Sequence, residues 1–292
     1  MSANFKRTLI LPLISTGNVP QLTTDLILHS LSNEFRFVKS LDSTYVHPFV
    51  GALDYSLHDG KPILYESDPN KRFSSALELF YNESKNVYVI QQRTPIIQGY
   101  INNFIKEIII PVIKEFQITD VTILDSYGAL DESIISHKFN NNTNMGITNV
   151  DPFYSVGICN LEGIGSLSDE FDSILNLKTD PNTAMHYTNS LLEFSKKSLL
   201  QEISTDQQIF KIIFHLINSQ LGSLTKVKYC SFFVHEGDNS LDAKLFTSHF
   251  NDFVNPIDST IVEIKDFKTP ISWKGVYGFN EVPTTLEEGI YI

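Results

Sequence analysis

A continuous run of apolar residues near the start of the chain, residues 8–14, is followed at once by a polar turn. A strand with one face in water alternates between apolar and polar residues, so an unbroken run is typical of a strand buried on both faces of a sheet. The turn spans Ser15 to Asn18, and apolar residues then recur at helical spacing, with Thr16 or Asn18 as the predicted N-cap. The chain therefore opens with a buried strand, a loop and a helix.

The same alternation recurs later in the chain. Apolar strands are predicted at residues 86–92, 121–126 and 227–234, and helices at residues 97–116, at residues 209–217 and from Ser240 onward. Strands that alternate with helices are typical of an α/β fold, in which helices flank a mainly parallel sheet.

Two of the predicted helices carry more specific expectations. Pro111 is predicted to kink or end the helix in which it lies, because proline has no backbone N–H and its ring collides with the preceding turn. The last helix is predicted to place four residues roughly on one face: Leu241, Leu245, His249 and Phe253.

The 292 residues are predicted to form one α/β domain over residues 1–280 and a flexible C-terminal tail over residues 281–292. With 42% hydrophobic residues, the chain has enough apolar side chains for a sizeable core. An asparagine-rich stretch, about 130–150, and a stretch of mixed Gly, Ser, Asp and Glu, 161–198, are predicted to be loop insertions.

The formal net charge of −12 argues against a nucleic-acid backbone as the main partner, because that contact needs clustered lysine and arginine. It is compatible with a basic protein surface, although bulk charge also simply keeps a protein soluble. No membrane segment is predicted, since the longest apolar run is interrupted by Lys106, Glu107 and Pro111. No signal peptide is predicted at the N-terminus.

Two cysteines, Cys159 and Cys230, fit a reducing compartment and exclude a multi-cysteine zinc site. Cys230 lies within an apolar run and is predicted to be a packed core thiol. The single tryptophan, Trp273, is also predicted to pack onto the core.

Two loops carry residues of the types that bind ligands or take part in catalysis. The loop from Ser15 to Asn18 precedes a helix and could bind an anion there, but it lacks the glycines and lysine of a phosphate-binding loop. The loop from His235 to Asp238 gathers an imidazole and two carboxylates at a strand end, yet Asn239 stands where a zinc-binding H-E-x-x-H motif needs histidine.

Both loops also have an ordinary structural interpretation, as turns with a helix cap. No G-x-S-x-G motif is present, so the sequence does not indicate the nucleophile of a serine hydrolase. The chain is therefore predicted to have no catalytic, metal-binding or cofactor-binding residues. The alternative is a phosphorylase-like or hydrolytic enzyme that uses both loops, which requires them to face one pocket with a basic group.

The chain ends in Ile290, Tyr291 and Ile292, after a stretch that reads as a tail. A tyrosine has a flat apolar body with a polar tip, and a terminal carboxylate can be captured by backbone amides or a lysine. These three residues are predicted to dock into a pocket of a partner protein, and Gly289 gives them freedom to turn.

Four blocks of sequence, in order along the chain, are similar to the proteasome assembly chaperone family. They are residues 9–22 with Asp25 and Leu26, residues 91–95, residues 236–239 with Asp242 and Ala243, and residues 270–273 with Tyr277 and Gly278. The resemblance implies a three-layer αβα domain with a nucleoside-phosphorylase-like shape and no catalytic activity or cofactor.

The same resemblance implies a heterodimer with proteasome assembly chaperone 1. It implies action on the outer face of the α-ring of the 20S core particle, promoting ring assembly in the cytoplasm, with the nucleus as a second compartment. Family tails of hydrophobic-Tyr-X type enter pockets between adjacent α subunits, and Ile290, Tyr291 and Ile292 match that pattern.

Overall fold

The structure, a computed structural model, describes residues 6–128, 154–160, 191–193, 208–219, 221–235, 237–254, 264 and 266–274. Within these ranges the chain forms an eight-stranded sheet with helices on both faces, and a separate two-stranded sheet. The strands are β1 Thr8–Pro12, β2 Phe35–Ser40, β3 Val50–Gly51, β4 Ser74–Ser75, β5 Leu77–Asn82, β6 Val87–Gln92, β7 Asp120–Tyr127, β8 Tyr154–Asn160, β9 Leu191–Glu193 and β10 Lys226–Phe233.

Besides short 3-10 turns, four helices accompany the strands in the described ranges. They are α1 Val19–Ser30, α2, which joins the segments Ile101–Asn103, Phe104–Ile109 and Ile110–Glu115, α3 Gln208–Asn218 and α4 Ser240–Val254. None of the helices in the described part of the chain is long and apolar enough to cross a membrane.

The large sheet has the strand order β2-β5-β6-β1-β7-β10-β8-β9. The four central strands, β6, β1, β7 and β10, are parallel, and β8 and β9 are also parallel to each other. The pairs β2–β5, β5–β6 and β8–β10 are antiparallel. The predicted mainly parallel sheet is confirmed, with antiparallel strands added on both sides of the central four.

The sheet lies between two apolar layers, and β1 contributes to both. Leu9 and Leu11 pack into the layer that contains α2 and α3, while Ile10 packs into the layer that contains α1 and α4. All five residues of β1 are buried, as the unbroken apolar run predicts. The three-layer αβα arrangement is therefore confirmed by the packing of alternate side chains to opposite faces.

The helix α2 runs past Pro111 and ends at Glu115. Its segment Phe104–Ile109, immediately before the proline, is π-helical. Because a π-helical turn is wider than an α-helical one, it accommodates the proline ring and the missing N–H without ending the helix. Pro111 therefore changes the hydrogen-bonding pattern of the helix instead of terminating it.

The helix α4 buries a different face from the one on which the sequence places its leucines. Leu241 and Leu245 are 73% and 41% exposed, whereas Ala243 and Phe246 are buried. Phe246 packs on Phe232 of β10, with 5.3 Å between ring centroids. The small side chain of Ala243 allows α4 to pack closely on the sheet. The face of α4 that turns toward the sheet is therefore the one that carries Phe246, and not the one that carries the leucines.

The predicted insertion at about 130–150 lies outside the described residues. The short strand β9 falls inside the range predicted as the second insertion and pairs with β8. Cys230 is buried, and burial raises the pKa of its thiol to about 12. The prediction of a packed core thiol is confirmed.

Candidate functional site

The two loops singled out in the sequence lie at the same edge of the sheet. They follow β1 and β10, and the strand between these, β7, is parallel to both. Ser126 of β7 joins the first loop, because its backbone N–H donates to Ser15 Oγ at 3.0 Å and its hydroxyl donates to the carbonyl of Thr16. This edge, at the carboxyl ends of the strands, is where α/β sheets commonly bind ligands.

The side chain of Asn239 fills the space between the two loops. Asn239 is 2% exposed, and its Nδ2 lies 3.4 Å from the carbonyl oxygen of Gly17 and 3.3 Å from that of Gly237. The backbone of Gly17 has φ 67°, and a Cβ there would overlap the amide of Asn239. The loops therefore pack against each other through this amide.

The caps of the two following helices differ from each other. Asn18 precedes α1 with φ 53°, and its side chain makes no cap hydrogen bond. Asp238 accepts a hydrogen bond from the backbone N–H of Ser240 at 2.9 Å, and Gly237 has φ 145°, as the turn interpretation predicts. Within the described part of the chain, no group of three His, Cys, Asp or Glu residues is placed to hold a metal ion.

We expect Gly17→Ala to lower the free energy of unfolding by about 2–5 kcal/mol. Positive φ costs a residue with a Cβ about 1–2 kcal/mol, and overlap with a packed neighbour adds about 1–3 kcal/mol. Gly60 is the matched control, since it has the same φ of 67° with nothing within 4 Å of its Cβ position. Gly60→Ala should therefore cost only the conformational part, about 1–2 kcal/mol. Urea denaturation measures both losses of unfolding free energy. Equal losses for Gly17→Ala and Gly60→Ala would show that the Asn239 side chain moves aside without cost.

A buried ionic network that the sequence analysis missed lies beneath α1, at the same edge of the sheet as the two loops, where β5 begins and β6 ends. Glu78 of β5 has no exposed surface. Its carboxylate accepts a hydrogen bond from the Tyr65 hydroxyl at 2.7 Å and forms an ion pair with Lys71 Nζ, also at 2.7 Å. Arg93, just after β6, has a guanidinium nitrogen 3.9 Å from Glu78 and donates to Gln91 Oε1 at 3.0 Å. The positive charges of Lys71 and Arg93 together compensate a carboxylate that burial alone would destabilise.

Asp25 and His29 of α1 face this network from the helix. Asp25 accepts hydrogen bonds from Gln91 Nε2 and, at 2.9 Å, from Trp273 Nε1. Burial raises the pKa of Asp25 to about 6, while the charge of Arg93 opposes the rise. Burial lowers the pKa of His29 to about 4, while the charge of Asp54 opposes the fall.

Comparison with known proteins identifies the family. A sequence model described as the PAC2 family matches residues 9–235, which is most of the chain. The chain belongs to the PAC2 family. Over 273 residues it is 38% identical to Proteasome assembly chaperone 2 of Saccharomyces cerevisiae, covering 92% of this chain and 94% of that protein.

Two further relatives are more distant. Proteasome assembly chaperone 2 of Nematostella vectensis is 32% identical to this PAC2-family chain over 124 residues, covering 42% of this chain and 47% of that protein. A crystal structure of Pyrococcus furiosus PbaA, an archaeal homolog of proteasome-assembly chaperone, covers 85% of this chain and 81% of its own, with 13% identity and a TM-score of 0.45.

The titrations of Asp25 and His29 oppose each other in this PAC2-family domain. A raised carboxylate pKa contributes stability below pH 3.8 that is lost as the pH rises through about 6. A lowered imidazole pKa contributes stability above pH 6.5 that is lost as the pH falls through about 4. Between pH 4 and 6.5 the two contributions therefore cancel in large part.

We expect Asp25→Asn to reveal the pH dependence that His29 contributes to the free energy of unfolding. Relative to the unmutated chain, the free energy of unfolding should rise by about 2–3 kcal/mol between pH 4 and 6.5, at about 1.4 kcal/mol for each unit of pKa shift. His29→Gln should give a relative fall over the same range. Urea denaturation at several pH values measures both, and curves parallel to that of the unmutated chain would contradict the assignment.

Two exposed apolar surfaces are available for contact with other proteins. Phe49, Val50 and Phe73 lie on or beside the two-stranded sheet and are 36%, 73% and 52% exposed. Leu241 and Leu245 form the second surface, on α4. The predicted docking residues Ile290, Tyr291 and Ile292 lie outside the described residues and stay a prediction.

Proposed function

We propose that this PAC2-family chain is a proteasome assembly chaperone and not an enzyme. The observation that carries the proposal is the near-full-length identity to the Saccharomyces cerevisiae protein of that name. The packing of Asn239 between the two candidate loops also favours a structural role for them, since the enzyme alternative needs an open pocket there.

In this proposal the domain, residues 1–280, acts as a heterodimer with proteasome assembly chaperone 1 and binds the outer face of the α-ring. It promotes assembly of the 20S core particle in the cytoplasm and the nucleus. The net charge of −12 supports a protein partner with a basic surface, because opposite potentials raise the rate of encounter.

The tail residues Ile290, Tyr291 and Ile292 dock between adjacent α subunits, with the terminal carboxylate paired to a lysine. Burying two or three apolar side chains gives roughly 4–8 kcal/mol. Association costs about 4–15 kcal/mol in lost freedom of motion. The tail alone therefore binds weakly, and a second contact through the domain or the partner chaperone is needed to hold the complex.

Affinity purification of the tagged full chain from its own cells, followed by mass spectrometry, tests the proposal. We expect a stoichiometric second chaperone together with proteasome α subunits. The same preparation should be assayed for nucleoside phosphorolysis. Purification of the chain without α subunits, or phosphorolysis that Asp238→Asn abolishes, would contradict the chaperone function.

A further inference from the structure

The last described segment, residues 266–274, is fastened to the domain by backbone hydrogen bonds. The N–H of Ile271 donates to the carbonyl of Tyr55 at 2.8 Å, and Pro270 forms a β-bridge with Ser56. The N–H of Lys268 donates to Ser30 Oγ, in the last turn of α1, at 2.9 Å. These contacts join the segment to the end of α1 and to the loop after β3.

Side chains fasten the same segment at two further points. Ser272 donates through both its N–H and its hydroxyl to the carboxylate of Asp54, which is 5% exposed. Lys268 Nζ lies 3.2 Å from Asp59 Oδ1, and this ion pair is largely shielded from water. Hydrogen bonds and ion pairs of this kind are stronger where water is excluded.

Trp273 is the deepest anchor of the segment. Its side chain is 2% exposed and packs in the apolar layer between the sheet and α1. Its Nε1–H donates to Asp25 Oδ2 at 2.9 Å, so the indole is held by a polar as well as an apolar contact. The next residue, Lys274, is exposed. The deepest contact of the segment therefore comes one residue before its last described residue.

We propose that residues 266–274 form a clasp that holds the chain 16 residues before Ile290 and so limits the reach of the docking tail. Trp273 and Asp54 are the positioning residues of this clasp. The inference rests on the tail docking proposed above and deepens it, because it assigns residues that set how far the tail reaches.

The position of the clasp limits where the tail can dock. Ile290 lies 16 residues after Lys274, so the tail residues can reach at most about 53–58 Å from the clasp. The last described helix before the clasp, α4, ends at Val254, which lies 36 residues before Ile290. A chain held only at α4 would have a tether of 36 residues in place of 16. The effective concentration of a flexible tether falls as about the −3/2 power of its length, so this difference would lower it about threefold.

Two insertions of the same 20-residue Gly-Ser linker test the clasp without altering its contacts. One insertion follows Lys274 and lengthens the tether to 36 residues. The other follows Asn255, upstream of the clasp, and is the matched control. Affinity for the 20S core particle purified from Saccharomyces cerevisiae is measured by calorimetric titration, with the full chain bound to proteasome assembly chaperone 1.

We expect the insertion after Lys274 to weaken binding about threefold and the insertion after Asn255 to leave it unchanged. The difference should vanish in chains that lack residues 290–292, since the clasp acts only through the tail. Equal affinities for the two insertion variants would overturn the clasp alone. If deletion of residues 290–292 leaves the affinity of the otherwise unmodified chain intact, both the clasp and the tail docking are overturned.

Discussion

Removing Ile290, Tyr291 and Ile292 will weaken binding of the chaperone heterodimer to the 20S α-ring by about 10²–10⁴-fold. In the proposed docking, the tail converts a single contact into two linked ones, and the second then forms at high effective concentration. The free energy of unfolding should not change, because the clasp anchors the chain upstream, at Trp273. Calorimetric titration measures the affinity, and urea denaturation measures the stability.

The control for this deletion removes three residues from inside the tail and keeps its end. Deleting residues 283–285 shortens the tether slightly and preserves the terminal carboxylate, so affinity should stay within about twofold. If the chain that lacks residues 290–292 binds as tightly as this control, the tail does not dock and the α-ring contact lies wholly on the domain or its partner.

Arg93→Ala will lower the free energy of unfolding by about 3–5 kcal/mol, which is typical for removal of one partner from a buried ion pair. The substitution leaves the buried carboxylate of Glu78 with Lys71 as its remaining described cation, and it removes the positive charge that opposes the pKa rise of Asp25. Arg72→Ala is the matched control, because Arg72 is exposed and its guanidinium donates to the Pro69 carbonyl. That change should cost less than about 0.5 kcal/mol.

A double substitution separates the ionic effect from lost packing. If Arg93 acts by compensating Glu78, then Glu78→Gln in the Arg93→Ala background should recover part of the lost stability, since the uncompensated charge is gone. Strictly additive losses for the two substitutions would mean that Arg93 stabilises the domain mainly by packing.

Much of the fold could be predicted because both faces of the central strands are covered. The apolar run of β1 has one interpretation, a doubly buried strand, and the helices that follow the strands place the sheet in the middle layer. The orientation of α4 could not be predicted in the same way. Leu241 and Phe246 lie on different faces of that helix, and only contact with Phe232 selects which of them is buried.

The ionic network was missed because its members are far apart in the sequence. One signal was present: Asp25 and His29 are four residues apart on one side of a helix, and three apolar residues, Leu26, Ile27 and Leu28, separate them. Nothing in the sequence indicates that Glu78, Arg93 and Trp273 reach the same place. The packing of Trp273 was predicted and is confirmed, but its hydrogen bond to Asp25 depends on tertiary structure.

Reconstitution from purified components shows whether this chain promotes assembly of the proteasome α-ring, as we propose. Separately purified α subunits are mixed with and without the chain in complex with proteasome assembly chaperone 1, and complete α-rings are counted by native mass spectrometry over time. We expect α-rings to form faster and in higher yield when the chain is present. The same rate and yield with and without a folded, heterodimeric chain would contradict it.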